Sequence, residues 1–311
     1  VPDLGATGRG EDMEITTYLE KAFASELSGN VVDLCPVGAL TSKPYAFNAR
    51  PWELRKTESI DVMDAQGCNI RVDARGPQVM RVLPRLNETV NEEWISDKAR
   101  HACDGLMRQR LDRPYIRVNG KLQPATWAEA FAAIATRVQS TTPDKMAAII
   151  GDLAAAEEIK ALKDLMRALG VSNLDCRQDG AKIGGARQSY LFNTTIAGVE
   201  SADAILLVGA NPRWEAPVLN ARIRKTWLAG NLTVAGLGVS MDQTYPVADL
   251  GSDAAALEAI ADGSHDFAKT LKDAKRPMII LGASVVARAD GAAILKLAAR
   301  IAADTGMIGP A

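Results

Sequence analysis

The stretch that decides the fold is ILLVGANP, which covers Ile205–Pro212. Its run of consecutive apolar residues indicates a strand buried on both faces, and the glycine after it indicates a turn. Beyond the turn, Pro217–Leu228 has the length and spacing of a helix. The sequence therefore predicts a buried strand that leads through a tight turn into a helix, which is the repeating unit of α/β proteins.

Similar units recur along the rest of the chain. Three other apolar runs also end at a glycine, and they are Met146–Ile150, Leu232–Ala235 and Met278–Leu281. Helical patterns such as Ile159–Leu169 separate them, and a last helix is predicted from Ala292 to about Ala303. This alternation predicts a doubly wound parallel sheet with helices on both faces.

The first third of the chain has a different pattern. Ile15–Leu27 is predicted to be a short helix ended by Ser28 and Gly29. A small antiparallel sheet is predicted from three short runs, which are Ile60–Val62, Asn69–Val72 and Val79–Leu83. A hairpin over Tyr115–Leu122 and a helix opened by a capping box at Thr126 then lead into the α/β part.

Composition excludes several classes of protein. The 36 basic and 38 acidic residues give a net charge of −2, so no strong field attracts nucleic acid or an anionic membrane surface. No apolar run approaches the roughly 20 residues that span a bilayer, so no direct membrane insertion is expected. The 4 cysteines form no paired framework, which favours a reducing compartment over secretion.

One of these cysteines is a candidate metal ligand. Cys35 stands in the stretch DLCPVGAL, Asp33–Leu40, where a proline follows the cysteine directly. Cubane clusters are held by four thiolates, and in ferredoxin-type sites the last one precedes a proline. The sequence therefore predicts that Cys35 binds one iron of a [4Fe–4S] cluster, with the other three cysteines expected before residue 1. A cysteine that merely packs as a small hydrophobe is the alternative.

The surrounding sequence carries a family resemblance. Gly29–Phe47 resembles the fourth-ligand motif in the large iron–sulfur subunit of respiratory complex I, and the likeness continues through Glu14–Leu19 and Ala49–Leu54. The resemblance extends over essentially the whole chain and implies an internal segment of that subunit. It also implies further [4Fe–4S] and [2Fe–2S] clusters in a preceding N-terminal part, and a C-terminal domain that is incomplete.

A second stretch resembles the cluster module at the front of molybdopterin oxidoreductases, with most ligands replaced. By spacing, Asp61, Asp64 and Ser96 stand at three ligand positions, and only Cys68 is retained. One soft thiolate among hard oxygens is a poor cubane site, so no cluster is expected there. Cys68 is accordingly predicted to be a core thiol, and the same prediction is made for Cys103 and Cys176.

The α/β part resembles the pterin-binding domain of the same enzymes. The turn Gly209–Pro212 is a candidate anion site, because the carboxyl ends of strands and helix N-termini attract phosphate groups. A later stretch resembles another pterin-domain motif through Thr244, Asp249, Gly251 and Asp253. Members of the complex I family keep this domain without its metal, so no molybdenum cofactor is expected. The pattern at Gly236–Met241 lacks the third glycine of a dinucleotide fingerprint.

These observations predict three parts in one α/β chain. Residues 1–54 end a ferredoxin-like iron–sulfur module, residues 55–113 form a small β-rich degenerate cluster domain, and residues 114–311 form a molybdopterin-oxidoreductase-like domain. The resemblance implies a peripheral complex I subunit that relays electrons from a flavin-bearing partner towards quinone, on the cytoplasmic face of the bacterial inner membrane or the mitochondrial matrix side. The alternatives are a molybdopterin enzyme similar to formate dehydrogenase and a purely structural interaction module.

Overall fold

The computed structural model describes residues 4–17, 23–176, 180–181, 183–184, 187, 190–239 and 241–308. The chain divides into two compact units. The large unit comprises residues 1–104, 183–286 and 290–311, and the small unit comprises residues 105–182 and 287–289.

The large unit begins with short elements. A hairpin pairs β1 (Gly5–Thr7) with β2 (Glu14–Thr16), and the helix α1 (Asn30–Leu34) ends at Cys35. An antiparallel sheet and a short helix follow, and their elements are β3 (Arg55–Ile60), β4 (Asn69–Arg75), β5 (Gln78–Pro84) and α2 (Asp97–His101). The predicted antiparallel sheet is thereby confirmed.

One predicted helix and the end of one predicted strand in this region are wrong. The helix expected over Ile15–Leu27 is absent from the described residues of that stretch, because the β-branched side chains at its start favour the β2 strand; residues 18–22 lie outside the described residues. The strand expected over Ile60–Val62 ends at Ile60 instead. The carboxylate of Asp61 accepts a hydrogen bond from the backbone N–H of Met63 at 2.9 Å, and this turn directs the chain out of the sheet.

The small unit contains a hairpin and a short βαβ arrangement. The hairpin turns at Asn119 and Gly120, which both have positive φ, as a type I′ turn requires. The hairpin consists of β6 (Tyr115–Val118) and β7 (Lys121–Pro124). The other elements of the small unit are α3 (Trp127–Gln139), β8 (Ala148–Ile149), α4 (Ala156–Ala168) and β9 (Leu174–Asp175). The expectation that Met146–Ile150 joins the main sheet is wrong, because β8 has two residues and its partner is β9.

The rest of the large unit is a four-stranded parallel sheet in the order β12-β11-β10-β13. The central strand β10 is buried along its whole length. The strands of this sheet and the helices around it are β10 (Ala204–Val208), α5 (Pro212–Glu215), α6 (Pro217–Leu228), β11 (Thr233–Leu237), β12 (Ala248–Asp249), α7 (Ala254–Asp262), α8 (Asp266–Asp273), β13 (Pro277–Leu281), α9 (Ala283–Ala287) and α10 (Gly291–Asp304).

Helices cover both faces of this sheet, as the alternation of apolar runs predicted. Ile205 and Leu207 of β10 share an apolar cluster with α6, whereas Leu206 and Val208 share the opposite cluster with α7, α8 and α10. Successive side chains of a strand point to opposite faces, so one strand supplies both layers of the core. The doubly wound fold predicted from ILLV is therefore confirmed.

Candidate functional site

Cys35 lies at the C-terminal end of α1, and its backbone N–H donates to Val31 O at 3.2 Å. The chain then turns through Pro36 and Gly38, where φ is +70°, a conformation that glycine adopts without strain. This turn brings the N–H of Leu40 to 3.5 Å from the Cys35 Sγ atom. The loop is thus wrapped around the sulfur.

The loop favours the thiolate form of Cys35. The backbone N–H of Leu40 contributes most to a lowered pKa of this thiol, and that of Val37 contributes next, and together with the following N–H groups they outweigh the opposing effect of burial. Backbone N–H groups stabilise a charged sulfur because they donate to it. The thiolate is the form that binds soft metal ions, so the side chain fits one corner of an iron–sulfur cluster.

A cluster needs more ligands than Cys35. Among the residues that the structure describes, no group of three or more His, Cys, Asp or Glu side chains could hold a metal ion. One thiolate fits one iron of a cubane, and the remaining ligands would have to come from polypeptide outside the described residues.

A cavity of about 660 Å³ borders the loop of Cys35. Gly38 and Leu40 line it on the loop side, and Arg81 and Arg100 line it from β5 and α2. The guanidinium of Arg81 lies 4.4 Å from the ring centroid of Tyr45, so a cation–π contact stiffens one wall. The loop therefore faces open space on this side and is not enclosed by packed hydrocarbon.

The second cluster position does not fit iron–sulfur chemistry. Asp61 and Asp64 accept hydrogen bonds from nearby backbone N–H groups, Asp64 from Gln66 at 2.9 Å and from Gly67 at 2.8 Å. Cys68 is fully buried, and burial, followed by the neighbouring Asp64, raises the pKa of its thiol. The Ser96 hydroxyl caps α2 by accepting from Ala99 N–H at 3.1 Å. Asp61, Asp64 and Ser96 thus serve local turns and a helix cap, and they offer hard oxygens where a cubane needs thiolates.

The Gly209–Pro212 turn does not fit a pterin phosphate either. The Asn211 N–H donates to the Glu215 carboxylate at 3.1 Å, and the Arg213 N–H donates to the buried Gln243 Oε1 at 3.1 Å. A carboxylate therefore stands where an anion would bind, and like charges repel. On the other side, Ser284 Oγ donates to the Gly209 carbonyl at 2.7 Å.

The other candidate residues have structural roles. Asp249 accepts from Gly251 N–H at 2.8 Å and Asp253 caps α7, so the residues that resemble a pterin motif stabilise their own loop. His265 Nδ1 accepts from Phe267 N–H at 3.1 Å and caps α8. Sequence reasoning gave this histidine no role, although its place just before a helix was the available signal.

The prediction of core thiols has mixed outcomes. Cys68 is fully buried and Cys103 is partly buried against the same apolar cluster. Cys176 is exposed, so that prediction is wrong. It follows the two-residue strand β9, whose residues are themselves exposed, and no apolar layer covers the chain there.

Three family models match separate parts of the chain. Residues 110–311 match molybdopterin oxidoreductase, and residues 54–104 match the NADH-ubiquinone oxidoreductase NDSU1/NuoG-like 4Fe-4S domain. Residues 1–41 match the ferredoxin-like domain of NADH-quinone oxidoreductase subunit 3.

Curated relatives match almost the whole chain. The G subunit of NADH-quinone oxidoreductase from Rickettsia felis is 55% identical over 305 residues, which are 98% of this chain and 46% of the relative. The same protein from Rickettsia conorii is 54% identical, over 97% of this chain and 45% of the relative. The mitochondrial 78 kDa subunit of NADH-ubiquinone oxidoreductase of Neurospora crassa is 55% identical, over 93% of this chain and 40% of the relative. The chain thus spans less than half the length of these relatives.

The doubly wound sheet, the ferredoxin-like stretch and the matched models define a molybdopterin-oxidoreductase-type domain that follows iron–sulfur-type domains along the chain. Within that class, the chain belongs to the family of large iron–sulfur subunits of NADH–quinone oxidoreductase, as its relatives from Rickettsia and Neurospora show. The resemblance found from Gly29–Phe47 is confirmed.

Proposed function

We propose that this chain is an electron-transfer and scaffold segment of an NADH–quinone oxidoreductase, in which Cys35 binds one iron of a [4Fe–4S] cluster. The observation that carries the proposal is the Cys35 loop, whose backbone N–H groups lower the thiol pKa within a stretch that matches a ferredoxin-like family model. Such a cluster, when bound, transfers single electrons. The chain's own part is to supply a thiolate ligand and to hold it in a fixed loop.

Three parts of the chain have different roles in this function. Residues 1–54 carry the end of the cluster-binding module, residues 55–113 form a degenerate cluster domain, and residues 114–311 form a scaffold without molybdenum. The hydrogen bonds that Asp61, Asp64 and Ser96 accept from backbone N–H groups, and the hard oxygens that they offer in place of thiolates, support a second site without a cluster. The hydrogen bond from Asn211 to Glu215 supports a scaffold role for the α/β part. The three other cubane ligands, and further [4Fe–4S] and [2Fe–2S] clusters, would come from polypeptide before residue 1.

The partners follow from the same proposal. Electrons would arrive from a flavin-bearing subunit and leave towards quinone in a proton-pumping assembly, with the chain in the peripheral arm on the cytoplasmic or matrix side. None of the helices in the described part of the chain has both the length and the apolarity needed to cross a bilayer.

The substitution Cys35→Ala in the intact subunit within its complex tests the proposal. We expect one cubane signal to disappear from the electron paramagnetic resonance (EPR) spectrum and the iron content to fall by about one cluster. Cys176→Ala is the matched control, because this cysteine is exposed, and its spectrum should be unchanged.

Two results would overturn this assignment. Full retention of every cubane signal in the Cys35→Ala variant would favour a purely structural module. Stoichiometric molybdenum in the purified complex that depends on the Gly209–Pro212 turn would favour a molybdopterin enzyme.

A further inference from the structure

The short helix α1, which ends at Cys35, is held by residues far along the sequence. Its first side chain, Asn30, is buried and exchanges two hydrogen bonds with Ile95, through Nδ2 to the carbonyl at 2.8 Å and from the Ile95 N–H to Oδ1 at 3.2 Å. The Asp97 carboxylate accepts from the Gly29 N–H at 2.7 Å and from the Ser28 hydroxyl. A five-residue helix is too short to be stable alone, so these contacts fix its position.

Arg100 adds a charge to this contact. Its Nη2 atom donates to Asp33 Oδ2 at 2.6 Å and to Asn30 Oδ1 at 3.2 Å. The Arg100 side chain is only 6% exposed, and its Nε atom is buried without a hydrogen-bond partner. The side chain lies so close to Gly29 that a Cβ atom there would be 2.6 Å from Nε. A buried guanidinium thus compensates the carboxylate that stands two residues before Cys35.

The helix that presents Arg100 begins where a cluster ligand would be expected. Ser96, which stands at the fourth ligand position of the degenerate module, caps α2. Asp97 and Arg100 then lie in the first and last turns of α2, and both contact the segment that leads to Cys35. Ser96, at the position of the absent ligand, therefore starts the helix whose side chains hold the segment before Cys35.

We propose that Arg100 is a positioning residue for the Cys35 cluster and that its ion pair with Asp33 sets the reduction potential of that cluster. The inference rests on the proposed function, because it needs a cluster at Cys35. Reduction adds one negative charge to the cluster, and a nearby uncompensated carboxylate opposes that addition. Because the Arg100 side chain is buried and the Asp33 side chain is 25% exposed, solvent and salt screen this pair less than a fully exposed pair.

Opposite substitutions within the pair test the electrostatic part of this inference. In the intact complex, Arg100→Gln leaves Asp33 uncompensated and should shift the midpoint potential of the Cys35-dependent cubane to more negative values. Asp33→Asn leaves Arg100 uncompensated and should shift it to more positive values. The double variant should lie between the two single variants. The measurement is a redox titration monitored by EPR.

Two further variants separate charge from folding. Arg100→Lys keeps the charge and should keep the potential close to that of the unchanged protein, even if the melting temperature falls. Arg71→Gln removes a charge from the same part of the large unit, where Arg71 pairs with Asp73 at 2.9 Å, and should leave the potential unchanged.

The outcomes distinguish this inference from the proposed function. If Cys35→Ala removes a cubane signal but neither Arg100→Gln nor Asp33→Asn shifts its potential, Arg100 has no such role and the cluster assignment stands. Shifts in the same direction in both single variants, with lowered melting temperatures, would reduce the pair to a structural contact. If Cys35→Ala leaves all signals in place, the cluster assignment itself fails.

Discussion

Gly209 lies at the carboxyl edge of the four-stranded parallel sheet, where it allows neighbouring segments of the chain to pack closely. It follows β10 with φ +55°, and a Cβ atom built there would overlap Val285 Cγ2. Gly282 follows the neighbouring strand β13, and a Cβ atom on it would overlap the Gly209 carbonyl. The carboxyl edge of an open parallel sheet is where such folds bind ligands. Here the two glycines let the chain pack against itself at that edge.

The close packing at Gly209 predicts a large cost for Gly209→Ala. Gly238 is the matched control, because it also has positive φ, +62°, but no neighbouring atom within 4 Å of a built Cβ. Gly238→Ala should lower the free energy of unfolding by about 1 kcal/mol, the cost of left-handed backbone for alanine. Gly209→Ala should lower it by about 2 kcal/mol more, since overpacking adds to the backbone cost. Urea unfolding measures both values.

A double variant identifies the origin of that extra cost. In the double variant Gly209→Ala with Val285→Ala, the overlapping methyl group is gone. The free energy of unfolding should therefore fall by less than the sum of the decreases in the two single variants. Equal losses for Gly209→Ala and Gly238→Ala would contradict the close packing.

At the scale of elements, the small antiparallel sheet depends on one buried carboxylate. Asp73 in β4 is fully buried and accepts from Arg71 Nε at 2.9 Å and from Arg81 Nε of β5 at 2.8 Å. Burial alone would raise the Asp73 pKa, but the hydrogen bonds from Arg71 and Arg81, together with their charges, outweigh it and lower the pKa. The charged form of Asp73 therefore stabilises the folded sheet.

The ion pairs of Asp73 with Arg71 and Arg81 predict a loss of stability in acid. Because the folded-state pKa of Asp73 is depressed, its contribution is present above about pH 4, the ordinary aspartate range, and is lost as pH falls through the folded value. Asp73→Asn should lower the free energy of unfolding at pH 7 by about 3 kcal/mol, since it leaves two arginines without their carboxylate. It should also show a shallower decline below pH 4 than the unchanged protein.

Asp262→Asn is the matched control for Asp73→Asn. Asp262 pairs with Arg300 at 2.9 Å, but both side chains are more than half exposed. The Asp262→Asn substitution should lower the free energy of unfolding by less than about 1 kcal/mol and leave its pH dependence unaltered. Chemical denaturation between pH 2.5 and 7, followed by circular dichroism, gives these values; parallel curves for Asp73→Asn and the unchanged protein would contradict the assigned role.

The elements also show what sequence could and could not predict. The strands β10, β11 and β13 were predictable, because each is an apolar run that ends at a glycine and burial on both faces leaves a strong pattern. The helix α1 was missed, because its five residues depend on Ile95, Asp97 and Arg100, which lie more than sixty positions away. The Cys35 motif was visible locally, whereas the residues that hold it are joined to it by tertiary contacts alone.

At the scale of the whole molecule, the two units differ in how much apolar surface they bury. In the large unit, β10 is completely buried between two apolar clusters. In the small unit, the strands β6 and β7 are mostly exposed, and α3 buries only Ala130. Apolar side chains such as Trp127 and Phe131 remain more than half exposed. Burial of apolar area is the main stabilising contribution to folding, so the small unit should open more readily.

Hydrogen exchange of two similar helices tests this difference. The helix α4 has 13 residues and no buried side chain, whereas α10 has 14 residues and six buried positions. Because the helices have nearly equal length, their intrinsic stability is similar and burial decides the opening free energy. We expect amides of α4 to exchange at least about tenfold faster than those of α10, after correction for intrinsic rates, as mass spectrometry of this chain would measure. Equal protection would show that the small unit is stabilised by something other than its apolar core. Protection of α4 that arises only in the intact complex would show instead that another surface covers this helix there.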